Sequence, residues 1–163
     1  MGPMADMLTL TTELPEVTLT PGDVLLLEGS ANGPVWILVE GALTVSKAGI
    51  AVNTITRPGA VIGEVSVLLG LLHGATVVAA SDARLRVAQN GAEFLSSDPV
   101  VLRLVAEGLA RRLNLVTTYL ADLKDQYGGS PGLSMVAEVL STLGHHDRPT
   151  AQPGSARDPD PVY

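Results

Sequence analysis

The sequence contains no cysteine and very few aromatic residues: one Trp, one Phe and three Tyr among 163 residues. Without cysteine the protein has no disulfide, no thiol nucleophile and no thiolate ligand for a metal. Two of its three histidines, His145 and His146, are adjacent, which is not a metal-binding spacing. Sulfur chemistry is therefore excluded, and no metal site is expected.

Basic residues are also scarce. The chain has ten Lys and Arg against seventeen Asp and Glu, a net charge of −7. Proteins that bind duplex nucleic acid neutralise many phosphates with basic side chains, and proteins that bind single strands stack bases on aromatic rings. Because both residue classes are depleted, no nucleic acid partner is expected.

Long apolar runs and a basic N-terminal stretch are absent too. The apolar stretches fall well short of the roughly 18 residues that span a bilayer, and residues 1–7 lack the basic start of a signal peptide. We therefore expect a soluble, cytoplasmic protein with no membrane partner. A single core usually occupies about 100 to 200 residues, so the length predicts one domain with a small appendage.

Glycine is abundant up to residue 91 and separates short runs rich in Val, Ile, Leu and Thr. These runs include Val24–Leu27, Val35–Val39, Leu43–Ser46 and Thr76–Ala80. The pattern is typical of short strands joined by tight turns, and the pairs Pro21-Gly22 and Pro58-Gly59 indicate turns in which glycine takes a positive φ. After an N-terminal segment at 1–16, residues 17–97 are predicted to form a mainly β barrel or sandwich.

The periodicity changes at Asp98-Pro99, a pair suited to the cap and first position of a helix. Apolar residues then recur every three or four positions, which predicts one amphipathic helix over 98–127. They are Leu102, Val105, Leu109, Leu113, Val116, Leu120, Leu123 and Tyr127. Such a helix is about 40 Å long, more than its own barrel covers, so we predict a homodimer through 98–127. The alternative is a helix that folds back on its own barrel.

Residues 128–146 follow as a short helical appendage, in which Leu133–Leu143 has helical spacing. The tail at 147–163 is rich in Pro, Asp and Gly and is predicted to be disordered. No second helix with a basic face follows, so a helix-turn-helix reader of DNA is not expected.

Four short motifs occur in a fixed order: L-T-P-G-D-V-L-L-L-E-G at 19–29, V-W-I-L-V-E-G-A-L-T-V at 35–45, R-P-G-A-V-I-G-E at 57–64 and A-T-V-V-A at 75–79. In order and spacing they resemble the cyclic nucleotide-binding domain of the catabolite activator protein and protein kinase A regulatory subunits. The resemblance covers about residues 17–127. It implies a β-roll (a jelly roll, or double-stranded β-helix) with a phosphate-binding cassette at 57–79, followed by a long C-terminal dimerisation helix.

The resemblance also implies a ligand pocket. In the family, a short helix beginning at Gly-Glu points N–H groups at the phosphate, the carboxylate matching Glu64 accepts from the ribose 2′-hydroxyl, and a long-helix residue reaches the base. An Arg-Ser or Arg-Thr pair just before "A-T-V" binds the phosphate. The candidate pocket residues are Gly63, Glu64, Val65, Ser66, His73, Gly74, Ala75, Thr76 and Thr117.

The sequence departs from the family at that phosphate-binding pair, because His73 stands at the Arg position and Gly74 at the Ser/Thr position. An imidazole is mostly neutral at pH 7 and cannot make the bidentate contact of a guanidinium. The loss of two charge-assisted hydrogen bonds predicts affinity lower by roughly two to four orders of magnitude. Cyclic AMP or cyclic GMP is therefore expected to bind weakly, if at all, and no cofactor is required.

Each of these residues also has a simpler interpretation. His73 is expected to be a solvent-exposed loop residue, Thr117 to bond a carbonyl one helical turn back, and Trp36 to belong to the core. Arg84 and Arg86 alternate on a strand and share a face. That face is expected to be solvated, although one of the two would replace the missing Arg if the face were interior.

The sequence contains no recognisable catalytic set, and we do not expect an enzyme. The leading interpretation is a regulatory domain that senses cyclic AMP, cyclic GMP or a related small anion and signals through a dimer helix. The alternative is a ligand-free scaffold that keeps the fold and binds another protein.

Overall fold

The computed structural model describes residues 6–127 and 134–143. The predicted tail at 147–163 lies outside these residues. The described residues divide into two compact units, one ending at Ala106 and the other beginning at Glu107. No helix in the described ranges is both long and apolar enough to cross a membrane.

Eight antiparallel strands form two four-stranded sheets in the first unit. The strands are β1 (Glu16–Leu19), β2 (Val24–Leu26), β3 (Val35–Glu40), β4 (Leu43–Lys47), β5 (Ile50–Ile55), β6 (Val61–Ile62), β7 (Thr76–Ala79) and β8 (Ala83–Ala88). One sheet has the order β1-β8-β3-β6 and the other the order β2-β7-β4-β5. The predicted roll of short strands is confirmed.

The core draws on both sheets. Its buried cluster is Leu26, Leu38, Leu43, Ile62, Val77, Ala79, Ala83 and Leu85. Burial alternates along β7 and β8, as the two-residue period of a strand requires when one face meets the core. Trp36 is half-buried and packs against this cluster, in agreement with its predicted core role.

Five helices accompany the strands in the described residues: α1 (Met7–Leu10), α2 (Glu64–Leu69), α3 (Gly91–Ser97), α4 (Pro99–Tyr127) and α5 (Ser134–Leu143). The predicted start of the long helix is confirmed, because Asp98 Oδ1 accepts from the N–H of Val100 at 2.8 Å. The first turns of α4 bury Val101 and Val105. The sequence pattern predicts neither α1 nor α3, since both helices are short.

Tight turns between the strands use glycine in the left-handed region. The positive φ predicted for Gly22 and Gly59 is confirmed, and Gly29, Gly41 and Gly63 have a positive φ as well. Gly41 is also crowded, because a Cβ at this position would stand 2.5 Å from the carbonyl oxygen of Asp82 and 2.6 Å from Ala83 Cα. The turn between β3 and β4 therefore requires glycine for both its φ and its space.

We expect Gly41→Ala to destabilise the roll by about 2 to 4 kcal/mol. The substitution puts a Cβ on a residue with left-handed backbone and brings that Cβ against the backbone of Asp82 and Ala83. Gly22→Ala is the matched control: its φ is +94° against +105° at Gly41, but a Cβ there meets nothing within 4 Å. The control should lower the free energy of unfolding by only about 1 to 2 kcal/mol, the cost of a side chain in the left-handed conformation. Urea denaturation measures both values, and equal costs would contradict the clash.

Candidate ligand-binding cassette

The cassette begins where β6 passes into α2. Gly63 caps the helix with φ +92° and ψ −2°, and a Cβ there would stand 3.1 Å from the carbonyl oxygen of Pro34 and 3.4 Å from Trp36 Cζ3. The positive φ favours glycine here, and a side chain would in addition require Pro34 or Trp36 to move by a few tenths of an ångström. The next residue, Glu64, is 2% exposed at the first position of the helix. A carboxylate in this place is favoured by the partial positive charge of the helix N-terminus.

The C-terminal half of α2 is held from the loop between β2 and β3. The amide of Asn32 donates to the carbonyl oxygens of Ser66, at 3.1 Å, and Leu71, at 2.7 Å. Gly70 ends the helix in the left-handed conformation, and its N–H donates toward Ser66 and Val67. Sequence reasoning missed Asn32, since no motif position marks it and its two acceptors lie more than 30 residues away.

His73 is a buried residue, and its predicted solvent exposure is wrong. The imidazole is 5% exposed, and its Nδ1 lies 2.7 Å from the hydroxyl of Ser66, which is itself 6% exposed. The hydroxyl of Ser66 also donates to the carbonyl oxygen of Gly63 at 3.2 Å. The hydrogen bond with Ser66 therefore occupies Nδ1 of His73 inside the protein.

Burial lowers the pKa of His73, so its ring is neutral at pH 7. The backbone of His73 is fixed as well: its N–H donates to Ser30 at 2.9 Å and its carbonyl accepts from Gly29 at 2.8 Å. The ring therefore joins the two halves of the cassette internally. It supplies no guanidinium-like cation to a ligand.

The closing half of the cassette enters β7 beside the ends of β2 and β4. Gly74 has no side chain to offer, and the space where its Cβ would stand lies 3.8 Å from Nζ of Lys47. Thr76 Oγ1 accepts from the N–H of Glu28 at 3.0 Å, and Ser46 pairs with Thr76 across β4 and β7. The sequence analysis did not identify Lys47, because β4 and β7 pair only in the folded chain.

Val65 is 43% exposed on α2, and Ala75 is half-buried next to Gly74. The structure thus brings together eight of the nine candidate residues in one stretch from Gly63 to Thr76. The ninth, Thr117, is half-buried on α4 in the second unit. Its neighbour Thr118 bonds the carbonyl oxygen of Asn114 at 2.9 Å, the expected helical contact.

Neither Arg84 nor Arg86 replaces the missing phosphate ligand. On β8 the core-facing residues are Ala83, Leu85 and Val87, so both arginines lie on the opposite face. Arg84 pairs with Glu16 at 3.2 Å and with Glu40 at 3.3 Å, and Arg86 lies 3.7 Å from Glu16. This face is not the roll interior, but the expectation that it is solvated holds only for Arg84, whose side chain is 40% exposed. The side chain of Arg86 is 15% exposed and donates to the hydroxyl of Thr11 at 3.1 Å.

Comparison with known proteins agrees with this geometry. Residues 16–93 match the family model described as the cyclic nucleotide-binding domain. Among curated proteins none matches the sequence. The described residues contain no group of three or more His, Asp or Glu that could hold a metal ion.

Solved structures share the fold at low sequence identity. Sp-2Cl-cAMPS bound to PKAR CBD2 has a TM-score of 0.53 at 22% identity, covering 68% of this chain and 71% of that one. The N-terminal domain of a transcriptional regulator from Streptomyces coelicolor A3(2) has a TM-score of 0.50 at 24% identity, covering 68% and 81%. The regulatory subunit of a cAMP-independent protein kinase A from Trypanosoma brucei has a TM-score of 0.52 at 21% identity. That match covers 58% of this chain but only 35% of the trypanosome protein.

We expect the buried neutral His73 to make the protein less stable in mild acid. The native pKa is lowered, so below about pH 6.5 the unfolded chain binds a proton that the native ring resists, and the free energy of unfolding falls as pH falls. His73→Asn keeps a donor for Ser66 but does not titrate. Urea denaturation at pH 7.5, 6.5 and 5.5 should show a steeper loss for the wild type than for this variant, and parallel losses would contradict the assignment.

Proposed function

We propose that this chain is a regulatory, non-catalytic domain that weakly binds a cyclic nucleotide or a related small anion, because residues 16–93 match the family model of the cyclic nucleotide-binding domain. The cassette is the proposed site. Ligand occupancy would be transmitted by α4, the helix that leaves the roll.

The buried start of α2 is the observation that carries this proposal. Glu64 is 2% exposed directly after left-handed Gly63, where the family places the carboxylate that accepts from a ribose hydroxyl. Its position at the start of α2, within the cassette that the family model covers, favours a ligand contact there. Sp-2Cl-cAMPS occupies PKAR CBD2, which shares this fold.

The proposed affinity is low because the phosphate has lost its usual partners. His73 is neutral, its Nδ1 is hydrogen-bonded to Ser66, and Gly74 has no hydroxyl. A charge-assisted hydrogen bond contributes about 1.5 to 3 kcal/mol, so two missing contacts lower the affinity by roughly two to four orders of magnitude.

Isothermal titration with cyclic AMP and cyclic GMP tests the binding. We expect the wild type to bind weakly and His73→Arg with Gly74→Ser to tighten the Kd by about 100-fold or more. Serine fits at position 74, because a Cβ there makes only ordinary contact, and the thermal midpoint of the double variant confirms that it folds. A folded double variant without tighter binding would contradict the proposed role of the cassette.

A ligand-free interaction module is the second candidate. The observation that favours it is the Ser66–His73 hydrogen bond, which satisfies the interior of the cassette without a ligand. The trypanosome regulatory subunit of a cAMP-independent protein kinase A has the same fold. Absence of heat and of thermal stabilisation at millimolar cyclic nucleotide would favour this candidate over the first.

We propose that α4 also forms the dimer. Beyond the turns that pack on the roll, Leu113 and Val116 are 50% and 51% exposed, and they lie one helical turn apart on the predicted stripe. An isologous pair of such stripes would bury them against a second copy.

Sedimentation equilibrium should show a dimer for the wild type and a monomer for Leu113→Glu with Val116→Glu, because buried carboxylates lose far more solvation than they regain at an apolar seam. The matched control is Leu115→Glu, which changes a side chain that is 72% exposed on another face of α4. A monomeric wild type, or equal dissociation by the control, would contradict the proposed interface.

A further inference from the structure

The roll has few basic side chains. Residues 6–97 contain Lys47, Arg57, Arg84 and Arg86. Arg84 and Arg86 are paired with Glu16 on the face of β8 that points away from the core. Within the described ranges, Lys47 and Arg57 have no ion pair or side-chain hydrogen bond. Two cations of the roll are therefore open to a ligand.

Lys47 lies beside Gly74, at the phosphate-binding pair of the cassette. It is the last residue of β4, one position beyond the pair between Ser46 and Thr76, so its backbone runs beside the entry to β7. Its ammonium nitrogen lies 3.8 Å from the position of a Cβ on Gly74. By its motif position, Gly74 stands where relatives offer a hydroxyl to phosphate. The ammonium of Lys47 therefore lies beside the place that the phosphate would occupy.

The surrounding contacts hold the backbone on either side of this site. Glu28 uses its carboxylate to accept the N–H of Ala48 at 2.9 Å, and its own N–H donates to Thr76 at 3.0 Å. Ala48 has a φ of +51° in the two-residue turn that joins β4 to β5. Glu28 thus bonds both the turn that follows β4 and the first residue of β7. The lysine stem needs no change of backbone to reach the cassette.

We infer that Lys47 supplies the cation that His73 and Gly74 do not offer and binds the phosphate of the ligand. The inference rests on the proposed function and assigns its phosphate contact to a residue outside the four motifs. Gly74 and Lys47 act together: the missing side chain leaves space for the phosphate, and the ammonium adds the charge-assisted donors that neutral His73 does not offer.

Isothermal titration with cyclic AMP and cyclic GMP on Lys47→Gln, Lys47→Arg and Lys124→Gln tests this assignment. Lys47→Gln should weaken the Kd by about 10-fold or more, and Lys47→Arg should keep binding within about 3-fold. Lys124→Gln is the matched control, because it makes the same substitution at an exposed lysine of α4 that lies outside the cassette. It should change the Kd by less than about 2-fold.

The outcomes separate this inference from the proposed function. If the wild type binds and Lys47→Gln binds equally well, the assignment of Lys47 is wrong while the proposed function stands. If Lys47→Gln and Lys124→Gln weaken binding equally, the effect is one of net charge and the assignment is again wrong. If the wild type binds neither nucleotide at millimolar concentration, both the inference and the proposed function fail.

Discussion

The imidazole of His73 is hydrogen-bonded to the hydroxyl of Ser66, and this contact connects the opening and closing halves of the cassette. The hydroxyl of Ser66 also lies within hydrogen-bond distance of the carbonyl oxygen of Gly63, the left-handed residue at the start of α2. The chain Gly63–Ser66–His73 therefore sets the shape of the site. Since the ring is buried and neutral, the same contact that orders the cassette removes the cation that relatives place there.

The charge of the site then depends on neighbouring strands. Glu28 ties the turn after β4 to the start of β7, and Lys47 comes to lie beside Gly74. In the proposed contact, Lys47 at the end of β4 acts beside Gly74, which lies in the loop that precedes β7. The distance between the two depends on the register of β4 against β7.

The outer face of the roll uses its charges differently. Arg84 and Arg86 meet Glu16 and Glu40 across β1, β8 and β3, where solvent screens the pairs. Arg86 also donates to the hydroxyl of Thr11, which follows α1. The ion pairs partly neutralise the carboxylates of Glu16 and Glu40, and both arginines lie on the face of β8 that points away from the core.

The sequence by itself determined the roll of short strands, the left-handed glycines, the start of α4 at Pro99 and the absence of arginine before Ala75. These features depend on local composition, on the spacing of apolar residues and on the spacing of motifs, all of which can be recognised within a single stretch of sequence. Only the tertiary structure decided that His73 is buried against Ser66, that Asn32 clamps α2 and that Lys47 reaches Gly74. Each of these depends on residues 7 to 34 positions apart being brought together by strand pairing and burial, which no local pattern in a single sequence specifies.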